Sequence, residues 1–375
     1  MKVAVITTSM DGRRTGIGNY TRGLVQALID NGYGNDLILI HSDKTNDPLY
    51  KQAIEKVIPD LPRNVFKFRK FLREIKCDVV HFPSFTGSQL PLYFATGLVP
   101  IVVTMHDITP ILYPEAHPIK AGLLWGRALK FCSHRIAHWI SVSENTKLDM
   151  EKYLKIDGND VSVIYTSADP RFKFLRDKEA AKSYILHQYG IKDPFILYVG
   201  TLEPRKNIPT LIHAFAKVKK DGFPQKLLLI GGKGWKYEEI FSAINELSLT
   251  DQILIPGYVP DEDLVYFYNV ADLFVYPSLY EGFGLPPLEA MACGTPVITS
   301  NKSSLPEVVG DAALLVDPLD VRALAGAIER VLANEELRAQ LSERGLKRAK
   351  FFSWKKTAER TWEVYGAVGD RGDNC

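Results

Sequence analysis

Residues 272–294 read DLFVYPSLYEGFGLPPLEAMACG, and this stretch decides the fold. A run of apolar and aromatic residues ends at Ser278, as a buried strand would. Gly282 and Gly284 make a flexible loop, Pro286 and Pro287 suit the first turn of a helix, and Gly294 suits its end. A strand that passes through a short loop into a helix is the repeating unit of a parallel α/β sheet.

The same unit recurs outward in both directions. Strands are expected at residues 195–201, 226–232 and 252–259 before it and at 296–300 and 312–316 after it. In the first half of the chain they are expected at 2–9, 37–42, 78–84, 100–107, 139–143 and 161–166, with helices between them. The fold class is therefore α/β, in two similar halves. A length of 375 residues agrees, because it exceeds what one hydrophobic core usually supports. The stretch 167–193, with mixed charges and Pro170, places the boundary near residue 170, giving domains 1–170 and 171–353. A last helix at about 354–368 has no strand after it and is expected to fold back on the first domain.

Composition narrows the function classes. Apolar residues make up 46% and charged ones 24%, which sets aside disordered and fibrous chains. A formal charge of +2 gives no argument for nucleic acid. Cys77, Cys132, Cys293 and Cys375 form no C-x-x-C pair, so neither a zinc cluster nor a thioredoxin-like centre is expected, and a reducing cytosol suits them. The N-terminal MKVAVITTSM is too short an apolar run for a secretory signal. No stretch reaches the roughly 18 to 20 uninterrupted apolar residues of a membrane span.

Three motifs follow strands. Gly16-Ile17-Gly18-Asn19-Tyr20 precedes a helix, where small residues and free N–H groups suit a phosphate or sugar. Thr21 stands where a dinucleotide fingerprint needs its third glycine, so a tight strand-to-helix turn is an equal reading. Gly200-Thr201-Leu202-Glu203-Pro204-Arg205-Lys206-Asn207 holds two adjacent cations beside a helix start, a site for a diphosphate or else a solvated basic turn. The chain contains no P-loop sequence. In the third motif Glu281 lies on the loop and Glu289 about one turn into the helix. Both suit sugar and ribose hydroxyls, while Glu289 is also open to plain capping of the helix dipole.

Glu281 and Glu289 are separated by seven residues, and the chain thereby resembles the retaining family-4 glycosyltransferases, with their E-x7-E motif and GT-B fold. The likeness takes in Gly16 and Gly18, the Arg205-Lys206 pair and the long final helix. It implies two Rossmann-like domains facing a central cleft, the first on the acceptor side and the second binding a nucleotide sugar. It implies that Arg205 and Lys206 hold the diphosphate, that Glu289 binds the ribose, and that Glu281 with Gly282, Phe283, Gly284 and Leu285 holds the transferred sugar. Gly16, Gly18 and Gly200 complete the donor site, and the base lies near Tyr258, Val259 and Pro260. His106 resembles the family's cleft histidine, so that His106, Arg205, Lys206 and Glu281 form the catalytic set.

The resemblance further implies retention by front-face attack, with no metal and no cofactor beyond the nucleotide-sugar co-substrate. The run 200–207 looks like that of polysaccharide mannosyltransferases, which favours mannose from GDP-mannose over UDP-glucose or UDP-N-acetylglucosamine. The acceptor is expected to be a glycan or lipid-linked glycan, and the protein cytoplasmic, with peripheral contact at the inner membrane face. A phosphorylase or nucleotide-sugar epimerase of the same plan is the enzyme alternative, and a non-catalytic sugar- or nucleotide-binding protein the other.

Other signals carry less weight. Asp261-Glu262-Asp263 reads as a metal-binding D-x-D or, preferably, as acids capping a helix start. His134 and His138, four apart on an expected helix, lack a third metal ligand. Residues 63–76 alternate aromatic and basic side chains, which suits a helix covering the sheet and, less well, one lying on an anionic membrane. Residues 123–139 share that ambiguity and are a candidate acceptor surface. Arg371-Gly372-Asp373 reads as part of a polar tail.

Overall fold

The computed structural model describes residues 1–12, 16–43, 45–61, 63–86, 89–97, 99–113 and 121–372. The chain forms two compact units, one of Met1–Thr166 with the segment from Ser353 onward, the other Ser167–Phe352. Both are three-layered, with helices on a wholly parallel sheet.

In the first unit seven strands take the order β3-β2-β1-β4-β5-β6-β7. They are β1 (Val3–Ile6), β2 (Leu37–His41), β3 (Ile54–Val57), β4 (Val79–Phe82), β5 (Ile101–Met105), β6 (His138–Ser141) and β7 (Val161–Val163). The central strands are buried on both faces, which is why they read as unbroken apolar runs. β3 was not expected from the sequence. Its residues Ile54-Glu55-Lys56-Val57 sit at the sheet edge, exposed or half-buried, so no apolar run betrays them.

The second unit holds six strands in the order β10-β9-β8-β11-β12-β13. They are β8 (Phe195–Val199), β9 (Lys226–Ile230), β10 (Ile253–Gly257), β11 (Leu273–Tyr276), β12 (Val297–Ser300) and β13 (Leu314–Val316). Every one falls inside its expected run but stops earlier, or at the same residue, at the carboxyl end.

The final helix, Trp354–Gly372, belongs to the first unit and packs on the helix Gly16–Leu28. A Cβ on Gly23 would collide with the Trp354 indole, so the close approach needs glycine. Trp362 stacks on Tyr33, with ring centroids 4.0 Å apart. Tyr365 is hydrogen-bonded to Nδ1 of the buried His81 at 2.6 Å, while His81 Nε2 meets Thr104 Oγ1 at 2.9 Å. Burial pushes His81 down to about 3, so the imidazole is neutral and serves as a polar pin through the core. The helix extends to Gly372, past the expected end at 368. Asp373 lies outside the described residues, as do the side chains of Leu123, Leu124 and Trp125.

Three weaker signals fall on residues with the following structural contacts. Asp263 accepts from Tyr184 at 2.7 Å and from Tyr189, which commits its carboxylate to the helix Lys178–Tyr189. His134 lies in the short turn Ser133–Arg135 and His138 opens β6, so they do not share a helix face as expected. In the helix Val65–Ile75, Phe68 and Leu72 are buried against the sheet and the cationic side chains face outward. No helix among the described residues is long and apolar enough to cross a membrane.

Candidate active site

Ligands of parallel sheets gather outside the carboxyl ends of the strands, where the strand order reverses. In the second unit that point lies between β8 and β11. β8 runs into the 200–207 loop and β11 into the 277–284 loop, so topology alone brings two of the three motifs together.

Local chemistry shapes both loops. Gly200 leaves β8 at φ 157°, where an added Cβ would stand 2.8 Å from the Tyr198 hydroxyl. Asn207, in the left-handed region at φ 56°, ends the turn Pro204–Lys206 and starts the helix Ile208–Lys220. Its amide donates to the Pro277 carbonyl at 3.2 Å and the Pro318 carbonyl at 2.6 Å. The Leu279 N–H donates to the Arg205 carbonyl at 2.9 Å. The two loops are thus stitched into one platform before any side-chain charge is considered.

On that platform Glu281 pairs with both cations. Lys206 Nζ lies 2.6 Å from Glu281 Oε1, and Arg205 Nη1 lies 3.1 Å from Oε2. Arg205 is also held by Glu203 at 2.7 Å and by the Tyr280 carbonyl at 2.6 Å. Burial is the largest single influence on Glu281 and opposes its charge. The charges of Arg205 and Lys206, with hydrogen bonds from Lys206 and Ser278, outweigh it and hold the carboxyl at about 2. Burial lowers the pKa of Lys206 against the pull of Glu281, while the carboxylate holds both cationic side chains in place for a polyanion.

Glu289 stands apart from this cluster. It lies in the second turn of the helix Leu285–Ala292, beyond the first turn where a dipole cap would sit, and accepts from the Tyr268 hydroxyl at 2.9 Å. Burial chiefly, aided by the carboxylates of Asp261 and Asp169, raises it to about 7 against the pull of Tyr268 and Arg171. Gly284 caps this helix at φ 116°, a conformation that favours glycine. Ser304 Oγ donates to the Phe283 carbonyl at 2.6 Å and fixes the loop before it. Past β10, Val259 is buried and Tyr258 is 55% exposed.

The remaining residues belong to the first unit. Gly16 and Gly18 are not a loop ahead of the helix, as the sequence suggested, but its first turn. Their N–H groups are among those that an α-helix leaves without internal partners. His106 follows β5, with its Nε2–H donating to the Pro83 carbonyl at 2.8 Å and its ring edge-to-face with Tyr20 at 4.6 Å. Burial lowers its pKa, so the imidazole is neutral with Nδ1 as an acceptor. Sequence reasoning missed Tyr276, Ser278, Glu203 and Tyr268. The first two read as strand core, and nothing in their spacing shows that their hydroxyls meet a carboxylate.

The family description "Glycosyl transferases group 1" matches residues 186–348, and "Glycosyltransferase Family 4" matches residues 14–172. The O-antigen chain mannosyltransferase B of Escherichia coli is 31% identical, covering 97% of this chain and 99% of that protein. The O-antigen chain mannosyltransferase RfbU of Salmonella typhimurium is 33% identical over 61% of this chain and 60% of its own. Among solved structures, a sucrose-phosphate synthase from Thermosynechococcus elongatus superposes with a TM-score of 0.79 at 24% identity, over 98% of both chains. Two parallel-sheet units of the GT-B class, with an oriented cation pair at a strand-order reversal, define a glycosyltransferase that moves a hexose. The chain belongs to the family-4 glycosyltransferases.

Proposed function

We propose that the protein transfers mannose from GDP-mannose to a glycan or lipid-linked glycan acceptor, with retention of configuration and without a metal. The observation that carries this reading is the pairing of Arg205 and Lys206 on Glu281 at the β8/β11 reversal. The step it serves breaks the bond between the anomeric carbon and a diphosphate oxygen while the acceptor oxygen bonds to the same face of that carbon. The acceptor's proton passes to the departing phosphate oxygen. Positive charge must meet the charge that develops there, and two cations already held at the site supply it. The likeness to O-antigen mannosyltransferases supports mannose as the sugar.

The test is a thermal-shift and calorimetric series against GDP, UDP, GDP-mannose, UDP-glucose and UDP-N-acetylglucosamine in chelator, followed by NMR of the glycoside formed. Preferred binding of GDP-mannose and an α-linked product are expected. Preference for a UDP-sugar, or an inverted product, overturns the assignment.

A lipid-linked acceptor places a cytoplasmic enzyme at the inner membrane face. The outward side of the helix Val65–Ile75 suits that position, with Lys67, Arg69, Lys70 and Arg73 exposed around a Phe66 that is 88% exposed. Phe131, in the helix Ala121–Cys132 of the same unit, is 66% exposed. Flotation with vesicles containing about one-third phosphatidylglycerol is expected to carry the protein, and Arg69→Glu with Arg73→Glu to release it. Equal flotation on purely zwitterionic vesicles, or none on either, counts against this contact.

A further inference from the structure

The contacts of Glu281 are unequally divided between its two oxygens. Oε1 receives three donors: Lys206 Nζ at 2.6 Å, Ser278 Oγ at 2.6 Å and the Tyr276 hydroxyl at 2.9 Å. Oε2 meets Arg205 Nη1 at 3.1 Å, the longest of the four contacts. A carboxylate oxygen offers about two lone-pair sites, so Oε1 has no capacity left for a substrate hydroxyl. Tyr276 is the hub of this arrangement, because its hydroxyl also accepts from Lys206 at 2.8 Å while donating to Glu281. The phenol has no freedom to swing. It is 1% exposed, stacked between Tyr198 at 5.7 Å and Phe274 at 5.9 Å, on the last residue of β11.

We propose that Tyr276, with Ser278, is a positioning residue that locks Oε1 of Glu281 onto Lys206 and so leaves Oε2 to exchange its Arg205 contact for a substrate hydroxyl when a diphosphate takes the arginine. Lys206 is then the fixed cation and Arg205 the exchangeable one. The division also explains a buried tyrosine hydroxyl in a strand whose other side chains are apolar, since a phenylalanine would fill the same space. This inference rests on the glycosyl-transfer reading of the site.

Tyr276→Phe keeps the ring stack and removes only the shared hydroxyl. With the wild-type enzyme's best donor, kcat is expected to fall about tenfold while donor KM changes less than about threefold, the signature of a misplaced group that acts in the transition state. The affinity for inorganic pyrophosphate, measured by calorimetry as a probe of the cation pair alone, is expected to stay within about twofold because both cations remain. Ser278→Ala provides the second variant and is expected to change kcat in the same direction. Unchanged kcat in both variants overturns the proposal. So does a loss of pyrophosphate affinity that tracks a lowered melting temperature, because the hydroxyls would then be merely structural. Failure of the wild type to turn over any nucleotide sugar would overturn the glycosyl-transfer reading instead, and the pyrophosphate measurement separates the two failures.

Discussion

Replacing Lys206 by alanine is expected to lower kcat/KM for the nucleotide sugar by about two to three orders of magnitude, the usual effect of deleting one preorganised group that stabilises developing negative charge. The reason lies in the burial of this lysine. Its Nζ is held by Tyr276 at 2.8 Å and Glu281 at 2.6 Å, so it spends nothing on reorganising when the leaving diphosphate gains charge. The substitution also disturbs the fold, since it takes one of two counter-ions from a buried carboxylate. Breaking such a pair costs about 3–5 kcal/mol, moderated here because Arg205 remains. The two effects are separated by a double-substitution cycle with Glu281→Gln, scored by melting temperature and by kcat/KM on the same samples. Stability is expected to recover substantially in the double variant and activity is not. Recovery of both together would mean that Lys206 only balances Glu281 and takes no part with the donor.

The second large effect concerns pH. Glu289 titrates near 7 in the folded protein, so the carboxylate that would accept ribose hydroxyls is mostly protonated at pH 6 and mostly ionised at pH 8. Donor affinity is expected to rise by roughly tenfold across that interval, following the ionised fraction. Glu289→Gln is expected to bind the donor weakly at every pH and to flatten the profile. The stability sign runs the other way. A carboxyl whose folded pKa lies above its unfolded value favours the native state least when ionised, so the wild type loses stability from its Glu289 as pH rises from about 4.5 to 7. Glu289→Gln should accordingly gain stability relative to wild type at pH 8 and not at pH 4. An identical pH dependence of donor binding in the glutamine variant would show that another group sets it.

Much of this was legible before any coordinate. Eleven of the thirteen strands lie within the expected runs and β6 starts one residue ahead of its run, at His138; the central ones are legible because a parallel strand covered on both faces reads as an apolar run. The missing one, β3, is an edge strand with Glu55 and Lys56 at its centre and no buried residue, so burial imposes no pattern on Ile54–Val57. The histidine pair went wrong for a related reason. Ile136 is buried between the short turn and β6, and a four-residue spacing says nothing of the chain reversing direction within it.

The candidate site divides along the same line. The sequence by itself determined the fold class, the loops that carry the chemistry and the two glutamates, since strand-loop-helix punctuation and residue type are local properties. Only the tertiary structure decided what those groups do to one another. Arg205 and Lys206 stand some 75 residues before Glu281 in the chain, and they meet only because β8 and β11 are neighbours at the reversal of strand order. Hydroxyls of Tyr276 and Ser278 acquire their role the same way, through the face on which β11 ends. The opposite pulls on the two glutamates, one held at about 2 by two cations and one raised to about 7 by burial, belong to their surroundings, for a pKa measures the field at a site and the field is made by whatever the fold brings near it.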